Sequence, residues 1–223
     1  MIESAELELI QFADNPEPRC PCVLLLDTSG SMQGEKIDAL NDGLRTLKAC
    51  LMDDPLAMKR VEIAVVTFNN KVNIEHDFVT ADKFEPPTLT ASGLTCLGSG
   101  VLQALDMLQE RKAVYKSNGV AYYRPWILLI TDGEPQGEYE ETIQQAIQRI
   151  AKDEKEHRVA FFAVGVAGAN MKKLAEIAVR TPLALIGLNF RELFAWLSAS
   201  MAAVVEHRID EQVALPPPGW GLL

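Results

Sequence analysis

Asp27-Thr28-Ser29-Gly30-Ser31 places one carboxylate and two serine hydroxyls directly behind the apolar run Val23-Leu24-Leu25-Leu26. A buried strand ending in this way delivers oxygen donors to one point, which is the ligand chemistry of a hard divalent cation. A second apolar run, Trp126-Ile127-Leu128-Leu129-Ile130, ends in Thr131-Asp132-Gly133. Between the two, Gly93-Leu94-Thr95-Cys96-Leu97-Gly98 offers another hydroxyl in a glycine-flanked loop. Asp27, Ser29, Ser31, Thr95 and Asp132 are therefore the candidate metal ligands.

Each of these residues also has a plainer role. Ser29 and Ser31 suit the cap of a following helix, and Thr95 and Asp132 suit turns. Their joint occurrence at three strand or loop ends is what favours a metal. Ser29 and Ser31 are two apart, so both hydroxyls can face one side of a loop, with Gly30 supplying the bend. Two carboxylates and neutral hydroxyls under-compensate a divalent ion, so such a site wants an external carboxylate.

The elements that must position these residues follow from periodicity. Ile37, Leu40, Leu44, Leu47 and Leu51 recur at steps of three and four and predict a helix from about Glu35 to Met52. Val61 to Phe68 reads as a buried strand, and Asn69-Asn70 as a tight hairpin into an alternating, more polar edge strand, Lys71-Val72-Asn73-Ile74. Val101, Leu102, Leu105 and Leu108 mark a helix running toward Tyr115. After Asp132, Glu138, Glu140 and Glu141 read as cap and solvent groups of a helix with Ile143, Ala146, Ile147 and Ile150 on its apolar face. A strand over Val159 to Val164, a helix from Met171 to Val179, a short strand Leu183 to Ile186 and a closing helix Phe190 to Val205 complete the series. Mostly uninterrupted apolar strands alternating with helices predict an α/β fold: a doubly wound, mostly parallel sheet with helices on both faces and one antiparallel edge strand. In such sheets ligands bind outside the carboxyl ends of strands, where the winding reverses.

The chain of 223 residues, 48% hydrophobic, is sized for one core. We expect an N-terminal extension over 1–18, the domain over 19–207, and a proline-rich tail over 208–223 docked through Trp220, with a proline-motif ligand as the alternative. A formal net charge of −10 argues against nucleic acid or anionic membrane as the main partner. No apolar run reaches the length of about 20 residues needed to span a bilayer. The acidic start Met1-Ile2-Glu3 lacks the pattern of a secretory signal, so the cytoplasm is the expected location. Cys20, Cys22, Cys50 and Cys96 are expected to be reduced thiols, with Cys20-Pro21-Cys22 spaced too tightly for a zinc pair.

The pattern Asp-x-Ser-x-Ser, a later Thr and a Thr-Asp-Gly behind a strand resembles the metal-ion-dependent adhesion site of the von Willebrand factor A domain, in the correct order from about Pro21 to Val205. The resemblance implies a Rossmann-like sheet and implies that Asp27, Ser29, Ser31, Thr95 and Asp132 surround Mg²⁺, with Mn²⁺ or Ca²⁺ as substitutes and some contacts through water. A protein partner's Asp or Glu would complete the coordination, and the closing helix that carries Trp196 would shift on ligation. A narrower similarity to bacterial A-domain proteins of the TerY type lies in Asp27 to Leu51, Phe84-Glu85-Pro86-Pro87, Tyr122-Tyr123-Arg124-Pro125-Trp126 and the proline-Trp220 tail. It implies a tellurium-resistance or stress-response system. Cys96 beside Thr95 departs from the common form and would open the loop to oxidation or thiophilic metals.

Enzyme readings fare less well. An aspartic protease would need glycine where Ser29 stands, and a calcium loop from Asp132 fails at Ile143, where a bidentate Glu is required. A metal-dependent phosphohydrolase is the main alternative. It lacks a Lys or Arg in the three loops and a histidine base, since His76, His157 and His207 fall elsewhere. A third reading keeps the metal as a structural ion and has partners dock on another surface.

Overall fold

The computed structural model describes residues 12–209 and 211–222. Most of the expected extension over 1–18 thus lies outside the described residues. The sheet contains β1 (Cys20–Asp27), β2 (Val61–Phe68), β3 (Val72–Thr80), β4 (Trp126–Thr131), β5 (Ala160–Gly165), β6 (Leu183–Leu185) and β7 (Gly221–Leu222), ordered β3-β2-β1-β4-β5-β6-β7. The helices are α1 (Glu35–Asp53), α2 (Pro55–Arg60), α3 (Leu97–Ser117), α4 (Glu140–Lys155), α5 (Met171–Ile177) and α6 (Phe190–Glu206).

Strands β2, β1, β4, β5 and β6 are mutually parallel, and β3 joins β2 antiparallel through the Asn69-Asn70 turn. Alternation along β1 divides the core. Cys20, Cys22, Leu24 and Leu26 pack with α1, α2 and α6, whereas Val23 and Leu25 pack with α3, α4 and α5. Both faces are covered, which is why these strands read as continuous apolar runs. On the first face α1 lies tight against α6, since a Cβ on Gly43 would come within 2.6 Å of the Phe194 ring.

Three features differ from the sequence-based expectations. The β3 strand runs to Thr80, and register shifts between Ile63 and Val66 accommodate it. Helix α2 was not expected, although its start is conventional: Asp54 accepts hydrogen bonds from the amides of Leu56 and Ala57, both 2.8 Å, and Pro55 opens the helix. The tail adds a second antiparallel edge strand, β7, against β6. Trp220 beside it is 2% exposed, and Trp196 Nε1 donates to the Pro216 carbonyl at 2.7 Å.

At the amino ends of the strands, Glu62 is fully buried between two guanidiniums. It accepts from Arg19 Nε at 3.0 Å, from Arg111 Nε at 2.8 Å and Nη2 at 2.9 Å, and from the Tyr115 hydroxyl at 2.5 Å. This paired network fixes β2 to α3 at the pole opposite the Asp27 loop.

Candidate metal centre

The winding reverses between β1 and β4: β2 lies on one side of β1 and β4 on the other, and Leu26 is in register with Ile130. The carboxyl ends of these two neighbours carry Asp27 and Asp132. The loop after β1 continues as a 3-10 turn over Gly30–Met32 and then enters α1. Ser29 Oγ and Ser31 Oγ meet at 2.9 Å, and Ser31 Oγ donates to Asp132 Oδ1 at 2.6 Å. Asp27 Oδ1 accepts from the Ser29 amide at 2.7 Å, and its Oδ2 accepts from Thr131 Oγ1.

Thr95 arrives from the third loop. Its backbone pairs with Gln136, with N–O separations of 3.2 and 2.9 Å, which ties its loop to the one after Asp132. A Cβ built on Gly133 would lie 3.3 Å from Thr95 Oγ1 and 3.7 Å from Asp27 Oδ2, so those two oxygens flank the same glycine. All five candidate residues thus share one rim. Asp27, Ser29, Thr95 and Asp132 are buried and Ser31 is exposed at the mouth.

The helix-capping roles of Ser29 and Ser31 are not adopted. Ser29 precedes the 3-10 turn without a side-chain cap bond, Gly34 rather than a serine precedes α1, and Cys96 rather than Thr95 stands at the cap of α3. Among the described residues Thr95 Oγ1 has no hydrogen-bond partner. The α3 amides are served by Glu138, which accepts from Gly98 N at 2.7 Å and Ser99 N at 2.9 Å. The expectation that Glu138 caps its own following helix is therefore corrected: it braces the Thr95 loop from across the rim. Gly30 also has a different reason from the one expected. Its φ is not positive; instead its amide donates to the Gly93 carbonyl at 2.9 Å, and a Cβ would stand 3.3 Å from that oxygen. Close approach of two loops is what disfavours a side chain there.

Three residues at the rim were not assigned from the sequence. Thr131 belongs to the Thr-Asp-Gly pattern but is not among the five candidate ligands, and it orients Asp27. Asn70 Oδ1 accepts from Leu94 N at 2.7 Å and holds the Thr95 loop to the β2–β3 turn. Lys36, in the first turn of α1, pairs with Asp132 Oδ2. The three loops themselves carry no lysine, but a neighbouring helix supplies one. No periodicity signals a contact spanning 96 positions.

Burial pushes the Asp27 carboxyl above its ordinary value; hydrogen bonds from Ser29 and Thr131 hold it down in part, and the Asp132 charge adds to the upward shift. Cys96 is buried, and burial followed by Glu138 raises its thiol, which disfavours the reactive thiolate suggested by its position. Cys20 is likewise pushed up, to about 12, by burial and then Glu62. Cys20 and Cys22 are core residues of β1, and among the described residues no group of three or more His, Cys, Asp or Glu is arranged to hold a metal ion.

The donor set fits a hard cation. It is all oxygen, and adjacent oxygens around an ion at about 2.0–2.1 Å in an octahedron lie roughly 2.9 Å apart. Ser29 and Ser31 stand at that spacing as a hydrogen-bonded pair.

A doubly wound sheet with polar side chains gathered at its switch point defines the α/β ligand-binding class. The von Willebrand factor type A domain profile matches residues 22–190, and the chain belongs to that family, a metal-dependent adhesion and protein-interaction fold. Solved structures agree on the fold. A von Willebrand factor type A protein from Catenulispora acidiphila is 20% identical with a TM-score of 0.66, over 83% of this chain and 43% of that one. The pilus adhesin SpaC of Lactobacillus rhamnosus GG, in its open conformation, is 14% identical at 0.66, over 83% and 30%. The mussel byssus proximal thread matrix protein 1, solved with a zinc-occupied MIDAS motif, is 16% identical at 0.56, over 83% and 48%. This chain thus spans less than half the length of each. No match was found among curated proteins. Among the described residues no helix is long and apolar enough to cross a membrane.

Proposed function

We propose that this domain is a non-enzymatic adaptor that binds a protein partner through Mg²⁺ and the partner's Asp or Glu carboxylate. The observation that carries the reading is the gathering of Asp27, Ser29, Ser31, Thr95 and Asp132 on one rim, with Thr95 Oγ1 uncommitted and Ser31 open to solvent. A bound divalent cation would supply a Lewis-acidic centre with a position left for an external carboxylate. Asp27 and Asp132 would bring the negative charge, and the three hydroxyls would orient without adding more. Thr131 holds Asp27 in place, and Glu138 and Asn70 hold the Thr95 loop. The zinc-occupied motif of the mussel protein supports tolerance for other ions, so Mn²⁺ and Ca²⁺ belong in the test.

The TerY-type resemblance supports a place in a bacterial tellurium or stress-response assembly. Four free thiols suit a reducing compartment such as the cytoplasm. The phosphohydrolase alternative gains a nearby cation in Lys36, but that ammonium is engaged by Asp132, and the three histidine rings make their hydrogen bonds elsewhere.

Calorimetric titration of chelator-treated protein with Mg²⁺, Mn²⁺ and Ca²⁺, beside Asp27→Ala, tests the reading. Saturable binding by the wild type, lost in a variant that still melts cooperatively, is the expected outcome. Equal binding by both proteins would sink it. Metal-dependent phosphate release from p-nitrophenyl phosphate, abolished by Asp27→Ala, would replace it with the hydrolase.

A further inference from the structure

Asp132 is held by two donors of unlike kind. Ser31 Oγ donates to Oδ1 at 2.6 Å, and the Lys36 ammonium takes Oδ2. The lysine side chain is 25% exposed, whereas that of Asp132 is 1% exposed, so the pair joins a partly solvated cation to a buried carboxylate. Removing it would leave the Asp132 carboxylate, buried near Asp27, without the one ion pair it makes among the described residues, a costly arrangement in a medium of low polarity. A divalent cation at the same oxygens answers the same need with twice the charge. The two cannot serve together without strong like-charge repulsion, and the lysine, on a flexible four-carbon stem at the protein surface, is the one able to leave.

We propose, resting on the metal reading above, that Lys36 is a tethered counter-ion of the metal-free centre. It occupies Asp132 until a divalent cation binds, is driven off Oδ2, and then stands as a free ammonium at the rim where a partner's carboxylate enters. Lys36 thereby lowers affinity for the metal and links occupancy of the site to a second positive charge for an acidic partner.

Lys36→Met keeps most of the apolar stem and removes the charge. In titrations of the full chain with Mn²⁺ and Mg²⁺, Lys36→Met is expected to bind about tenfold more tightly, the scale of one lost charge-assisted contact. Metal-free Lys36→Met should melt below the wild type and gain more on adding Mn²⁺. As a second readout on the unaltered protein, acetylation of Lys36 by an amine-reactive ester, followed by mass spectrometry, should quicken severalfold at saturating Mn²⁺. Unchanged or weaker metal affinity in a folded variant, or no faster acetylation of Lys36 with metal bound, overturns the inference. If Lys36→Met fails to fold, the acetylation rate decides. Failure of wild type and variant alike to bind either ion removes the metal reading and this inference together, whereas equal binding by both removes the inference alone.

Discussion

Asp27 carries an electrostatic cost at the end of β1. Its carboxylate is buried, and burial raises its protonation range above the ordinary 3.8 even though Ser29 and Thr131 donate to it. A carboxyl raised in the folded state favours folding below its unfolded value, and that contribution is lost as pH rises through the folded value. At neutral pH without metal, the ionised group therefore opposes folding. Asp27→Asn keeps an acceptor for the Ser29 amide and removes the charge, so the metal-free variant is expected to melt at or above the wild-type temperature at pH 7. The difference should close as pH falls toward 4, and the metal-induced rise in melting temperature should vanish. Thermal melts at pH 4 to 7, with chelator and with Mg²⁺, check this, and a metal-free variant less stable than wild type by more than about 1 kcal/mol would contradict it. The same rise in pKa explains Cys96 differently from its place in the sequence: a thiol next to a ligand loop looks reactive, but burial and Glu138 keep it protonated.

At the scale of elements, the Thr95 loop is positioned by other elements rather than by its own sequence. Glu138, from the segment before α4, takes the Gly98 and Ser99 amides and also accepts from Ser99 Oγ at 3.0 Å. A carboxylate at the start of α3 meets unpaired amides and the positive end of the helix dipole. Glu138→Ala should cost about 1–2 kcal/mol in denaturant unfolding, the usual loss for a helix cap. It should also weaken metal binding severalfold, while Glu141→Ala, changed on exposed surface in the first turn of α4, should leave both unchanged. Full metal affinity in a destabilised Glu138→Ala protein would separate the cap from the centre. Gly98 belongs to the same contact, since a Cβ there would approach the Ile143 backbone at 3.0 Å.

For the molecule as a whole, the tail closes one edge of the sheet. Trp220 packs its ring on Trp196 at 5.4 Å, and Trp196 in turn meets Phe162 on β5, while β7 pairs with β6. Trp220→Ala should lower stability by about 3–5 kcal/mol, the range for emptying a large aromatic site. Trp220→Phe should cost much less, because Trp220 Nε1 is buried without a partner among the described residues and its loss relieves an unsatisfied donor. Equal losses in chemical denaturation of the two variants would argue against that account. The fold class and the rim itself were legible in the chain: apolar runs gave the buried strands, steps of three and four gave α1 and α3, and hydroxyls and carboxylates behind two strands gave the candidate ligands. Those signals are local, because period and strand-end chemistry are written within a few residues of each other. What only the tertiary structure decided were pairings across long separations: Lys36 on Asp132, Glu138 on α3, Thr131 on Asp27, Gly30 against Gly93, and β7 on β6. No local pattern records them, since each depends on which loops the strand order β3-β2-β1-β4-β5-β6-β7 brings side by side.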